Sequence, residues 1–193
     1  KIENQYLRAL SFQLYENNGV LKRKNIDKII KLISKDERKK LWSMGIKIGR
    51  YHIFIPKMLK PKAVTLRTML WTIYNNITSN NIIPKFGLNF VINENFDEKF
   101  LLLCGFERFK NYFVRIDILE KLFIIIIEKS VDRKFKISSE MMNLLGCSKE
   151  NFFKLINLMN YKKSKEIDTY YFVGEYKKNK EKIVVEGNKS NPF

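Results

Sequence analysis

Apolar positions recur along this chain with two different periods, and each change of period marks an element boundary. In NQYLRALSFQLYENNG, Tyr6, Leu7, Leu10, Leu14 and Tyr15 fall at helical spacing, and Asn17-Asn18-Gly19 ends the run as a helix stop. NIDKIIKLI reads as a second helix from about Asn25. SKDERKKLWSMG opens a third, with Ser34 and Glu37 in capping-box register, and closes it on Gly45. IKIGRYHIFIP then alternates Ile46 and Ile48 with Tyr51, Ile53 and Ile55 around Gly49-Arg50, which predicts a hairpin with one buried face. Three helices and a hairpin, with Gly19 to Leu21 as a short first strand, follow the order of a winged helix-turn-helix.

After Pro56 the pattern is basic and then helical. Pro61 suits a first helical position, and Ala63, Leu66, Leu70, Ile73 and Ile77 form a stripe of heptad-like spacing, so this helix is expected to bridge two halves of the molecule. Residues 78 to 95 are polar and turn-rich around one strand-like run and read as a linker or boundary. A short helix over 96 to 104 and a strand pair in GFERFKNYFVRI come next. Asp117 and Glu120 read as caps of a helix over 117 to 130, chosen over a buried strand because of its length. The order then runs strand KFKIS, helix 138 to 145, turn Gly146-Cys147, helix 148 to 160 capped by Ser148, and strands near 161 to 166 and 170 to 175.

The fold class expected is mainly α with small β hairpins (α+β), winged helix-turn-helix-like, as one such unit or two in tandem joined by a helix. The expected divisions are 1-77, a helical region with hairpin and bridging helix; 78-95, a linker; 96-176, a winged helix-turn-helix-like domain; and 177-193, a basic tail. On a wheel, Phe152, Leu155, Ile156 and Met159 form the buried stripe of helix 148 to 160, leaving Lys149, Glu150, Phe153, Lys154, Asn157 and Asn160 outward.

Charge changes the picture from fold to partner. The chain of 193 residues carries 37 Lys and Arg against 20 Asp and Glu, a formal charge of +17, which points to a polyanionic partner. An AT-rich coding habit inflates Lys but should raise Glu too, so the excess survives that correction. Cys104 and Cys147 lie far apart in apolar surroundings and read as free thiols of a reducing, cytoplasmic compartment. The longest apolar run, Leu122 to Ile127, is far shorter than the ~20 residues of a membrane span, so no membrane-spanning segment is expected. Nucleic acid is the expected partner of the charge, ahead of an acidic protein or an anionic membrane surface, and no membrane is assigned. A chain that begins with Lys1 and shows no signal peptide reads as a piece of a longer protein.

Candidate contacts to nucleic acid fall in three places. Lys57, Lys60 and Lys62 surround Pro56 and Pro61, and a stiffened loop loses less entropy when its charges engage a strand. Lys47 and Arg50 sit on the first hairpin, while Arg38, Lys39 and Lys40 lie on the third helix. Lys149, Lys154 and Asn157 lie outward on helix 148 to 160, with Lys162 and Lys163 beside it; Lys neutralises phosphate and Asn pairs with base edges. Glu166 and Asp168 oppose phosphate at that wing tip. Trp42, Tyr51, His52, Phe54 and Trp71 interleave with charge and could stack bases, although most are expected in the core. Catalysis finds no support: the one histidine, His52, has no ligand-spaced partner, and no GxxxxGK[ST] phosphate cradle exists. No metal or cofactor is expected in this chain.

Three stretches together carry a resemblance: LWSMGIKIGRYHIFIPKMLKPKAVTLRTMLW, CGFERFKNYFVRIDILEKL and SSEMMNLLGCSKENFFKLINLMNYK. Their most specific pieces are GIKIGRYHIFIP with LKP, VRID at Val114 to Asp117, and LLGCS at Leu144 to Ser148. In this order they resemble the C-terminal accessory region of alphaproteobacterial superfamily 2 (DExH-type) helicases, similar in their motor to the mitochondrial degradosome RNA helicase, over roughly residues 5 to 165. The resemblance implies an accessory region following two motor domains, with ATP and Mg serving the parent protein. It implies RNA rather than DNA as the favoured partner, the motor domains of the same chain as neighbours, and a nuclease as a further partner. The expected function is therefore to hold or guide a single strand. The alternatives are a protein-docking module that recruits a partner or braces the motor, and a stand-alone DNA-binding winged-helix regulator.

Overall fold

The computed structural model describes residues 4–77, 82–93, 97–165 and 168–173. Its described elements form three successive units, each built around one small antiparallel sheet. The first contains α1 (Gln5–Glu16), β1 (Val20–Lys22), α2 (Arg23–Leu32), α3 (Lys35–Ser43), β2 (Lys47–Ile48) and β3 (His52–Phe54). A 3-10 turn (Pro56–Leu59) leads to the second: α4 (Pro61–Tyr74), β4 (Phe90–Ile92), α5 (Glu98–Leu103), β5 (Phe106–Phe109) and β6 (Tyr112–Arg115). The third contains α6 (Ile116–Glu128), β7 (Lys134–Lys136), α7 (Ser139–Leu145), α8 (Lys149–Leu158), β8 (Tyr161–Lys163) and β9 (Thr169–Phe172).

The three sheets run β1-β3-β2, β4-β6-β5 and β7-β9-β8, so in each the last strand lies between the other two. Local sequence explains the helix ends. Ser34 accepts from the Glu37 N–H at 3.3 Å while the Glu37 carboxylate accepts from the Ser34 N–H at 2.8 Å, which is the expected capping box. Ser148 caps α8 through the Asn151 N–H at 3.3 Å, and Gly146, at φ 67°, ends α7 in the left-handed region.

Four clusters of buried apolar side chains hold the units. Leu10, Leu14, Ile30, Leu41 and Ile53 centre the first; Val64, Phe100, Leu101, Phe106 and Phe113 centre the second; Leu119, Leu122, Phe135, Met141, Phe152 and Ile156 belong to the third. Alternation along β6 serves two of them, because Phe113 enters the second core while Tyr112 and Val114 enter the third. A small fourth cluster joins Val20 and Phe54 of the first unit to Ile116 at the start of α6.

Four expectations need correction. Phe90–Ile92 lies inside the stretch read as a linker, yet it pairs with β6 (Val91↔Phe113) as an edge strand, since β6 offers a free side once β5 takes the other. The apolar stripe of α4 does not bridge two halves: Leu66, Leu70 and Ile73 are exposed, and the inward face carries Val64, Arg67 and Thr68. Arg67 takes that position because its guanidinium donates to the Asn18 and Leu103 carbonyls at the ends of α1 and α5. The hairpin strand β3 is buried on both faces rather than one, because the second and third units cover its His52 side. Asp117 and Glu120 do not cap α6; Asp117 takes a bidentate pair from Arg115 at 2.6 and 2.9 Å, and Glu120 turns to the first hairpin.

Candidate nucleic-acid interface

All ten residues singled out for contact are exposed: Lys47, Arg50, Lys57, Lys60, Lys62, Lys149, Lys154, Asn157, Lys162 and Lys163. They do not form one patch. Lys57 lies on the 3-10 turn, Lys60 and Lys62 flank the start of α4, and the last five belong to α8 and β8. Phe153, expected outward on α8, is half-buried instead; its ring stacks on Tyr170 at 6.0 Å and 15°, and the Lys149 ammonium sits 5.5 Å over it. Arg38 on α3 is exposed but engaged, donating to the Ile30 and Ile33 carbonyls at the end of α2. Lys39 pairs with Asp36, and Lys40 is exposed. Glu166 lies outside the described residues.

Lys47 and Arg50 line a groove of about 610 Å³ between the first unit and α6. Its walls carry Trp42 from α3, the β2–β3 turn, and Lys121, Phe123, Ile124 and Ile127 from α6. Trp42 is 70 % exposed, and Ile124 and Ile127 are each more than half exposed. Of the other interleaved aromatic residues, His52 and Phe54 are buried and Tyr51 and Trp71 half-buried, so Trp42 alone in that set offers its ring to solvent.

The groove keeps its width through one carboxylate. Glu120 accepts the backbone N–H of Arg50 at 2.6 Å, of Tyr51 at 2.8 Å and of His52 at 2.8 Å, so three successive donors of the turn converge on it. A buried carboxylate is stable only when its lone pairs are so satisfied. Gly49 makes room: a Cβ there would stand 2.3 Å from the Glu120 carboxyl carbon. The turn is fixed from the other side as well, by Arg23 donating to the Gly49 carbonyl at 2.8 Å. Arg50 is thereby held with its guanidinium 5.6 Å over the Phe123 ring.

Behind the turn lies an ion-pair network. His52 Nε2 is 2.8 Å from Glu107, which also receives Lys22 at 3.0 Å, and Lys22 reaches Glu98 at 3.1 Å. His52 Nδ1 lies 3.6 Å from Glu120, beyond hydrogen-bond reach, and has no other polar partner. Burial works to lower the His52 pKa, but the hydrogen bond that His52 donates to Glu107 and the neighbouring Glu120 carboxylate outweigh it and hold the pKa above its ordinary value. Burial works to raise the Glu107 pKa, and His52 and Lys22 outweigh it in the opposite direction. Burial alone pushes the Cys104 thiol up to about 12, so it is neutral at physiological pH.

Sequence reading located Lys47, Arg50 and Trp42 but missed Lys121 and the Glu120 carboxylate that completes the groove. The contact partners lie about 70 positions apart in sequence, as the Arg50 to Glu120 bond shows, and no local period reports such a contact. The one available signal was Gly49 beside an exposed cation in a hairpin turn. Among the described residues there is no group of three His, Cys, Asp or Glu side chains placed to hold a metal ion, and no helix is long and apolar enough to cross a membrane. Compared with protein-family models, curated proteins and solved structures, the chain finds no match.

Proposed function

We propose that this chain is a nucleic-acid-binding accessory region of an ATP-dependent helicase, assembled from winged helix-turn-helix-like units, that holds or guides a single strand. One observation carries the binding: all nine cations in the predicted contact set are exposed, and among the described residues none is ion-paired with a carboxylate. Cations with internal work, such as Lys22 and Arg115, are paired. Exposed Lys and Arg without a carboxylate partner, in a chain of charge +17, are neutralised by counterions, and a phosphate backbone releases those counterions. The strand order β1-β3-β2, repeated twice, supports the winged-helix reading, and the helix-plus-hairpin stretches quoted above support the helicase context.

A second reading, a docking module for a partner protein, is favoured by the exposed face of α4, where Leu66, Met69, Leu70 and Ile73 are each more than half exposed. Binding of the chain to labelled single-stranded RNA and matched DNA across a salt series separates the two. A log K that falls steeply with log salt supports strand binding, and the RNA-to-DNA ratio names the substrate. No binding at ~50 mM salt leaves the docking module. Replacing Lys57, Lys60 and Lys62 with Glu weakens a bound strand and spares a neutral protein partner.

A further inference from the structure

We infer that the groove between the β2–β3 turn and α6 is a single-strand track, in which Trp42 stacks on unpaired bases and Lys47, Arg50 and Lys121 hold the phosphates. This rests on the nucleic-acid reading and assigns it a place. Charge accounting within the groove points the same way. Its two carboxylates are already engaged, Asp117 by the bidentate Arg115 and Glu120 by three backbone N–H groups. Of its four cations, Arg23 is paired with Asp27, while Lys47, Arg50 and Lys121 are exposed with no carboxylate partner among the described residues, so the rim presents uncompensated positive charge to whatever enters.

The indole decides the form of the nucleic acid. An aromatic ring exposed beside cations finds a π-face only where bases are unstacked, and each base stacked so contributes ~1–3 kcal/mol in sequence-tolerant fashion. A duplex offers phosphates to the same cations but no face to Trp42. The apolar wall of Ile124 and Ile127 lies where the other side of a splayed strand would rest.

Glu120 acts as a positioning residue for this track. It fixes the backbone of the turn that carries Arg50, so the cation is set over Phe123 before any strand arrives and loses little freedom on binding. Because the two walls come from the first and third units, the track exists only while that clasp holds.

The chain contains two Trp residues, so Trp71→Phe leaves Trp42 as its only indole reporter. Titrating that variant with oligouridylate, oligothymidylate, a blunt duplex and polyglutamate, and following fluorescence beside a filter-binding measurement, tests the inference. Quenching by the single strands, weak quenching by the duplex and none by polyglutamate is the expected result. Trp42→Ala should then cost roughly 5- to 150-fold in single-strand affinity, and Lys47→Glu with Lys121→Glu should lower the salt slope by about two. Single-strand binding that neither quenches Trp42 nor responds to these substitutions overturns the track and leaves the nucleic-acid reading standing. Quenching by polyglutamate instead of the single strands overturns it in favour of an acidic protein partner. Absence of any single-strand binding at low salt overturns both.

Discussion

The β2–β3 and β8–β9 hairpins occupy the same place in two sheets of the same strand order, and they are closed in different ways. At β2–β3 the turn lies against α6, and three of its N–H groups are satisfied by Glu120 from another unit. At β8–β9 the Ser164 N–H returns to the Thr169 carbonyl at 2.7 Å, a bond within the hairpin itself, while Lys162 and Lys163 face solvent. One topology thus serves once as a joint and once as a free cationic edge. The difference lies in who satisfies the turn's backbone: a joint borrows a carboxylate from a neighbour, and removing that neighbour leaves buried donors bare.

Glu120→Ala breaks the joint outright and has the largest expected effect. Three turn N–H groups lose their acceptor, and a loss of about 3–5 kcal/mol is expected, the range for stripping one partner from a buried charged contact. Urea unfolding at fixed salt reads it. Gly49→Ala attacks the same contact from the opposite side by overpacking, with an expected loss of about 1–3 kcal/mol. Glu120→Ala combined with Gly49→Ala should cost much less than the sum of the two, because the added methyl then meets no carboxylate. An additive double variant would mean that Gly49 matters for some other reason.

A pH series sharpens the comparison, since the first hairpin has a histidine behind it and the third has none. His52, with its pKa held above 6.5, contributes stability that is complete below pH 6.5 and is lost as pH rises through its folded value. Glu107, held below 4.5, contributes stability present above pH 4.5 and lost as pH falls through its folded value. Their pairing therefore favours the fold most between those two pH values, and His52→Gln should flatten the alkaline decline in thermal unfolding midpoint. The smallest effect on stability belongs to the free edge. Lys162→Glu with Lys163→Glu should shift unfolding by no more than about 0.5 kcal/mol, while lowering the salt slope of strand binding by up to two if both lysines touch phosphate.

Much of this fold was legible in the chain. The capping box at Ser34 and Glu37, the cap at Ser148, the stop at Gly146 and the buried stripe Phe152, Leu155 and Ile156 are all set by neighbours within four residues, and each lies where the pattern predicts. Contacts across the sequence were not legible. The apolar spacing on α4 is real, but it says only that those side chains share a face; Arg67, reaching the carbonyls at the ends of α1 and α5, turned that face outward. A strand-like run could be read inside residues 78 to 95, but not its partner; Phe90–Ile92 pairs along the free edge of β6. Exposure of Lys47 and Arg50 could be read from a hairpin turn, whereas their companionship with Lys121 could not.

By itself the sequence determined the elements, their caps and the excess of positive charge, because helix and strand formation depends on periods of 3.6 and 2 that a window of a dozen residues contains. Only the tertiary structure decided which charges are spent inside and which remain for a partner. Glu120 and Glu107 look alike on paper as half of an exposed helix or strand pattern, and each is claimed by a residue more than 50 positions away. Such pairing is fixed by packing of whole units, through the Val20, Phe54 and Ile116 cluster that brings the first hairpin to α6. Desolvation at that junction then favours pairing: the Glu120 carboxylate takes three backbone N–H groups and His52 Nε2 meets Glu107, leaving His52 Nδ1 as the exception.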